Sequence, residues 1–257
     1  MDSWGPWPLF LACAFGAEVL GTMAGFGAAT ILTPIAILFM DVKTAIALVA
    51  CFHLFGNASR LSFFWRYVHG KTWVQFGLTG VLCSFAGAGL TAHLSSSAVK
   101  WLFGVFLLIY VSLSSLLPSG LRFPATSGTL IGGGAASGFV AGLIGTGGAI
   151  RSACLLAFGL PRDVYLGTSA AIALVVDATR LPVYLFEGFI PWRMLPVVAS
   201  LVLVAFAGAW MGQRLIRRVS PVVFRRLVLV MLTLMALKLC VEGWHGLAQR
   251  SLDVSIP

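Results

Sequence analysis

The chain has 257 residues, of which 59% are hydrophobic and only 10% charged, with a mean hydropathy of +0.98. A soluble domain carries roughly 25% charged residues, so this chain has too few to cover a water-facing surface, and no polar stretch is long enough for a separate soluble domain. The 17 Lys and Arg against 8 Asp and Glu fit the cytoplasmic loops of a membrane protein; no basic run is interleaved with exposed aromatics, so nucleic acid is not an expected partner.

Apolar runs follow one another at 7–23, 26–40, 44–66, 72–93 and 98–117, and again at 127–144, 147–160, 164–186, 194–214 and 221–241. The first is preceded by Asp2 and no Lys or Arg, which disfavours a cleavable signal and predicts a retained helix. It carries a lone carboxylate, Glu18. The second follows a glycine turn, contains Pro34, and is near 15 residues long. At about 1.5 Å per residue such a run spans about 22 Å, short of a hydrocarbon core of about 30 Å. A tilted partial helix and a re-entrant segment both fit. The third run holds His53, Asn57 and Arg60. Gly87 and Gly89 in the fourth, like Gly132–Gly134 in the sixth, are assigned to helix packing. The seventh is short again, opens on Gly145-Thr146-Gly147-Gly148 and carries Arg151 and Ser152; the eighth holds Asp177 and Arg180. Trp65 and Trp192 read as interface anchors, and Lys238 with Glu242 as an i, i+4 pair.

Residues 24–74 and 144–194 superpose at a shift of 120: Gly25-Phe26-Gly27 meets Gly145-Thr146-Gly147, Asn57 meets Asp177, and Arg60 meets Arg180. The expected fold is all-α, one integral-membrane domain of two five-segment repeats, residues 1–120 and 121–257, with about eight to ten membrane segments. An odd number of crossings per half, three or five, inverts the halves. With the amino terminus outside, one face receives Arg66, Lys71, Arg122, Arg162, Arg214, Arg217, Arg218, Arg225 and Arg226. The other receives Lys43, Lys100, Arg193, Lys238 and Arg250, diluted by Asp2, Asp41, Glu187, Glu242 and Asp253. This asymmetry fits the positive-inside rule and predicts inverted repeats with both termini periplasmic.

Arginines inside apolar runs cost at least about 2.5–3.5 kcal/mol each on insertion scales. Either Arg60, Arg151 and Arg180 line a pathway with partners, or they snorkel from helix ends. A half-helix that starts near mid-membrane leaves its first N–H groups unpaired, with a partial positive charge of roughly +0.5, and a glycine turn lets an anion approach them. The expected anion site comprises Gly25, Phe26 and Gly27 on one helix start, and Gly145, Thr146, Gly147, Gly148, Arg151 and Ser152 on the other. Thr30 and Thr33 offer further hydroxyls. Asn57, Arg60, Asp177 and Arg180 are expected to line two vestibules; Asp177–Arg180 as a self-neutralising pair is the alternative. Glu18 and Asp177 are the candidates for proton coupling, although Glu18 could simply pair with an arginine. The four histidines show no ligand spacing, and His53 reads as a hydrogen-bonded core residue. Cys13, Cys51, Cys83, Cys154 and Cys240 are scattered singly, so neither a disulfide nor a metal nor any cofactor is expected.

The two glycine turns, Ala24-Gly25-Phe26-Gly27-Ala28-Ala29 running to Pro34 and Ile144-Gly145-Thr146-Gly147-Gly148-Ala149, resemble those of the TauE/SafE family of sulfite and organosulfonate exporters. The similarity covers almost the whole chain. It implies a multi-pass permease of the bacterial inner membrane for sulfite, thiosulfate, sulfoacetate or related sulfonates. The second copy departs from the first by Cys154 in place of Pro34 and Arg151 in place of Ile31, an asymmetry that suits one oriented anion.

The expected function is alternating-access export of such an anion, with the lipid bilayer as surroundings and homo-oligomerisation left open. With the inside negative, moving one negative charge outward gains about 2.3 kcal/mol per 100 mV, so export requires no coupling ion. An anion channel and a proton-coupled uptake permease are the alternatives. An enzyme is not expected, since no nucleophile–base or metal-ligand cluster lies within the segments.

Overall fold

A computed structural model of the chain describes residues 6–24, 27–116, 123–215 and 221–254, with side chains outside the description at 24, 221–227 and 250–254. All regular secondary structure among the described residues is helical, without strands. In chain order the helices are α1 (Trp7–Ala24), α2 (Ala29–Ala36), α3 (Val42–Phe64), α4 (Gly70–His93), α5 (Ser96–Leu116), α6 (Ser127–Ile144), α7 (Gly148–Leu156), α8 (Arg162–Phe186), α9 (Leu195–Leu215) and α10 (Pro221–Val254). Among the described residues, seven helices are long and apolar enough to cross a membrane, and the apolar α1 is somewhat shorter. The chain is a multi-pass membrane protein.

The starts of the long helices are fixed locally. Asp41 accepts from the Lys43 amide at 2.9 Å and caps α3; the Thr126 hydroxyl oxygen accepts from the Thr129 amide at 3.3 Å and caps α6. Two elements differ in length from the sequence expectation. The short runs form helices of only 8 and 9 residues, about 12–14 Å. The last helix continues well past residue 241, to Val254, through Gly243 and Gly246, which pack against Trp101 and Ser97 at the start of α5 and meet no proline to stop the helix.

Helix pairing rests on glycine faces, as expected where lipid offers no hydrophobic drive and backbones must approach closely. A Cβ on Gly138 would lie 2.6 Å from Gly80 Cα, and one on Gly142 would lie 2.7 Å from the Ala88 amide. Residue numbers therefore rise together, and α4 runs parallel to α6. Gly208 against Glu18 and Gly212 against Thr22 set α9 parallel to α1 in the same way. By contrast Gly104 meets Cys240 while Gly243 meets Trp101, so α5 and α10 are antiparallel. So are α3 and α8, where Asn57 bonds Asp177 and Gly167 meets the Phe64 carbonyl. Gly87, Gly133 and Gly134 pack against neighbouring helices as expected, but Gly89 and Gly132 have nothing within contact distance of a Cβ and take no part.

Lys100, Lys238 and Glu242 lie together, with Lys100 Nζ 2.8 Å from Glu242 Oε2 and Lys238 bonded to the same carboxylate. The loop residues Asp2, Arg122, Arg217 and Arg218, and the side chains of Arg225, Arg226, Arg250 and Asp253, fall outside the description.

Candidate functional site

The two half-helices meet. Thr30, the second residue of α2, has its hydroxyl 2.7 Å from that of Thr146, two residues before α7. Both residues are buried, at 0% and 1% exposure. Neither helix start has a side-chain cap. A buried helix end without capping groups leaves polarised N–H groups in want of an acceptor. Gly27 and Gly145 supply left-handed backbone at the turns, with φ of 89° and 83°. The second turn is also tied down, since Ser137 Oγ donates to the Gly147 carbonyl at 2.8 Å. Gly25 and Phe26 lie outside the described residues.

Arg151 is buried on α7 and donates through Nε to Ser169 Oγ on α8 at 3.0 Å. Beside it, the Tyr165 hydroxyl donates to Ser152 Oγ at 2.9 Å. These bonds steer the arginine from the short helix towards α8.

Where α3 crosses α8, repeat-equivalent residues touch: Asn57 Nδ2 donates to Asp177 Oδ2 at 3.0 Å. His53 Nδ1 reaches the same oxygen at 2.8 Å. The other nitrogen, His53 Nε2, is buried without a hydrogen-bond partner and faces Gly27, where a Cβ would collide with it. The opposite oxygen, Asp177 Oδ1, accepts from Arg180 Nε at 3.0 Å, and Arg180 Nη2 lies 2.8 Å away. Arg180 Nη1 donates to the Ala141 carbonyl at 2.6 Å.

Arg60 sits elsewhere. Its Nη2 is 3.4 Å from Glu18 Oε1 without forming a hydrogen bond, and its Nε donates weakly to the Gly56 carbonyl at 3.4 Å. Glu18 is admitted between α3 and α9 by two glycines: a Cβ on Gly56 would lie 2.7 Å from its carboxylate and one on Gly208 2.8 Å from its Cβ. Arg60 also lines a cavity of about 140 Å³ together with Thr22, Phe64, Arg162, Asp163 and Gln213.

The site residues expected from sequence therefore divide into three places. Gly27, Thr146, Gly147 and Gly148 are at the helix starts, with Arg151 and Ser152 following on α7. Asn57, Asp177 and Arg180 form the α3–α8 crossing. Arg60 and Glu18 form a separate pair beside the cavity. His53 was read as a core residue, and it is hydrogen-bonded, but its free nitrogen also faces the first helix start. The signal available was its i, i+4 spacing to Asn57, which puts both on one helix face.

Three buried arginines, 60, 151 and 180, stand against two buried carboxylates, Glu18 and Asp177, all at 5% exposure or less. Among the described residues no carboxylate lies within ion-pair distance of Arg151. With His53 neutral, this interior holds one positive charge more than its carboxylates balance.

A multi-pass helical membrane protein with paired half-helix starts and a basic interior is the class defined so far. The model of the sulfite exporter TauE/SafE family matches residues 10–239, and the chain belongs to that family of membrane transporters. Comparisons with curated proteins and with solved structures return no match.

Proposed function

We propose that this transporter exports a small sulfur-containing anion, sulfite or an organosulfonate, by alternating access, and that the anion binds where α2 and α7 begin. One observation carries this reading: two buried, uncapped helix starts touch through Thr30 and Thr146, and the first turn of α7 carries Arg151, which among the described residues has no carboxylate within ion-pair distance. Unpaired N–H groups and a surplus guanidinium are both relieved by one anion. An anion entering there replaces the Thr30–Thr146 hydrogen bond by accepting from both hydroxyls.

The halves 1–120 and 121–257 are read as inverted repeats. Support comes from the antiparallel pairs α3/α8 and α5/α10, each made of repeat-equivalent helices, and from the contact of Asn57 with its own counterpart Asp177. An axis perpendicular to the helices relates such pairs, as in transporters that rock one repeat against the other. The richer basic face is assigned to the cytoplasm, both termini to the periplasm, and the membrane potential then favours outward movement of the anion.

Calorimetry on the full chain in detergent tests the site. Sulfite and sulfoacetate are expected to bind, and Arg151→Gln is expected to weaken them by about 1.5–3 kcal/mol, the worth of a charge-assisted contact. Unaltered affinity in a folded Arg151→Gln protein removes the anion from this place. Proteoliposomes loaded with labelled sulfoacetate test direction: an inside-negative potential should speed efflux.

A further inference from the structure

The geometry points to a second anion site, a waiting position for the same class of small sulfur oxyanion, in the cavity beside Arg60. It rests on the reading that the protein carries such anions, and it lies apart from the helix starts.

The cavity has about 140 Å³, enough for a small oxyanion with water beside it, given about 30 Å³ per liquid water. Its walls come from the carboxyl end of α3 (Arg60), the amino end of α8 (Arg162, Asp163), the end of α1 (Thr22) and the end of α9 (Gln213). Two donors on these walls have no acceptor. Arg60 is 5% exposed and its Nη2 makes no hydrogen bond; Gln213 Nε2 is buried and likewise makes none. Orphaned buried donors are rare in folded proteins because each forfeits its hydration. Two of them lining one cavity, one cationic and one neutral, suit an acceptor with several oxygens, which describes a sulfonate or sulfite.

The neighbouring charges set how the site works. Glu18 Oε1 is the near counter-charge, at 3.4 Å from Arg60 Nη2, and it already accepts from Thr22 Oγ1 at 3.2 Å. Its other oxygen, Oε2, has no partner. Glu18 is thus a loose occupant that an arriving oxyanion competes with for the Arg60 fork. Asp163 stands in the first turn of α8, where the helix start favours a negative charge. Arg162 next to it offsets that charge at the cavity wall.

The test is calorimetry of the full chain in detergent with sulfoacetate, and with glycerol phosphate as a lipid-headgroup stand-in. Wild type is expected to bind two sulfoacetates, and Arg151→Gln to keep one. In that background Gln213→Leu should weaken the remaining site about tenfold, the loss of one hydrogen bond to a charged group. Glu18→Gln should tighten it about tenfold by freeing Arg60 from its competitor. A merely structural role for Glu18 does not produce tighter binding. Because Gln213 Nε2 makes no hydrogen bond within the protein, Gln213→Leu should fold even if changes at the Glu18–Arg60 pair do not. One bound sulfoacetate in wild type, insensitive to Gln213→Leu and Glu18→Gln, overturns the waiting site and leaves the helix-start site standing. Binding of glycerol phosphate in place of sulfoacetate also overturns it. Affinity that responds to Gln213→Leu but not to Arg151→Gln leaves the waiting site standing and overturns the helix-start reading instead.

Discussion

Arg60 and Arg180 match at the sequence shift of 120, yet one is loose and the other locked. Arg180 has Nε and Nη2 on Asp177 and Nη1 on the Ala141 carbonyl. Over it, the Tyr184 hydroxyl donates to the Gly142 carbonyl, Phe189 stacks on Tyr184 at 5.5 Å, and Lys43 Nζ lies 5.2 Å above the Phe189 ring. A shift of 120 carries Tyr184 to Phe64, Gly142 to Thr22 and Lys43 to Asp163. All three counterparts line the cavity beside Arg60. What is a seal in one half is an opening in the other.

The difference starts from one residue. Asp177 gives Arg180 a carboxylate one turn away on its own helix, whereas Asn57 gives Arg60 only an amide, and Arg60 must reach to Glu18 on α1. Removing Asp177 should therefore have the largest effect. Asp177→Ala strands Arg180 without a counter-ion, and the expected loss is about 3–5 kcal/mol in detergent unfolding, the cost of breaking a buried pair. Glu18→Gln should cost no more than about 1.5 kcal/mol, since that pair is long, is not hydrogen-bonded and adjoins a cavity. Equal losses in the two variants would erase the distinction between a locked and a loose arginine.

Next comes Asn57→Asp, which asks whether the first half could copy the second. Asn57 and Asp177 touch each other, so giving both positions a carboxylate sets two acceptors 3.0 Å apart where a donor now meets an acceptor. The variant should lose about 1.5–3 kcal/mol, the worth of the charge-assisted bond that vanishes, with like-charge repulsion adding to it. A neutral result would mean that the contact across α3 and α8 does not force the halves apart in chemistry.

Much of this was legible in the residues. The doubling of the glycine turns, the shortened runs after them and the Asn57–Asp177 and Arg60–Arg180 matches follow from a fixed shift, and a fixed shift survives any amount of local repacking. The partners were less legible. Glu18 meets Arg60 because Gly56 on α3 and Gly208 on α9 leave room for its side chain, and sequence spacing along one helix says nothing about contacts between helices. The free nitrogen of His53 is illegible for the same reason, since the Gly27 it faces comes from another segment. The extra turns of α10 were missed because hydropathy marks where a helix is apolar and not where its hydrogen bonding ends.

The smallest expected effect belongs to Tyr184→Phe, and it sharpens the comparison most. The substitution makes the second half carry the residue already present at position 64 of the first. It removes one hydroxyl, leaving the ring to stack on Phe189, so the stability loss should be about 1 kcal/mol, that of a single neutral hydrogen bond. Access should change more than stability. The Gly142 carbonyl keeps only its bond from Thr91 Oγ1, and hydrogen exchange around residues 139–145 should rise while that around Thr22 stays as it is. If the stacked rings alone make the seal, exchange there will not move, and the hydroxyl is then irrelevant to which side is shut. A rise confined to the second half ties the closure there to the Tyr184 hydroxyl, which Phe64 lacks at the matching position of the first.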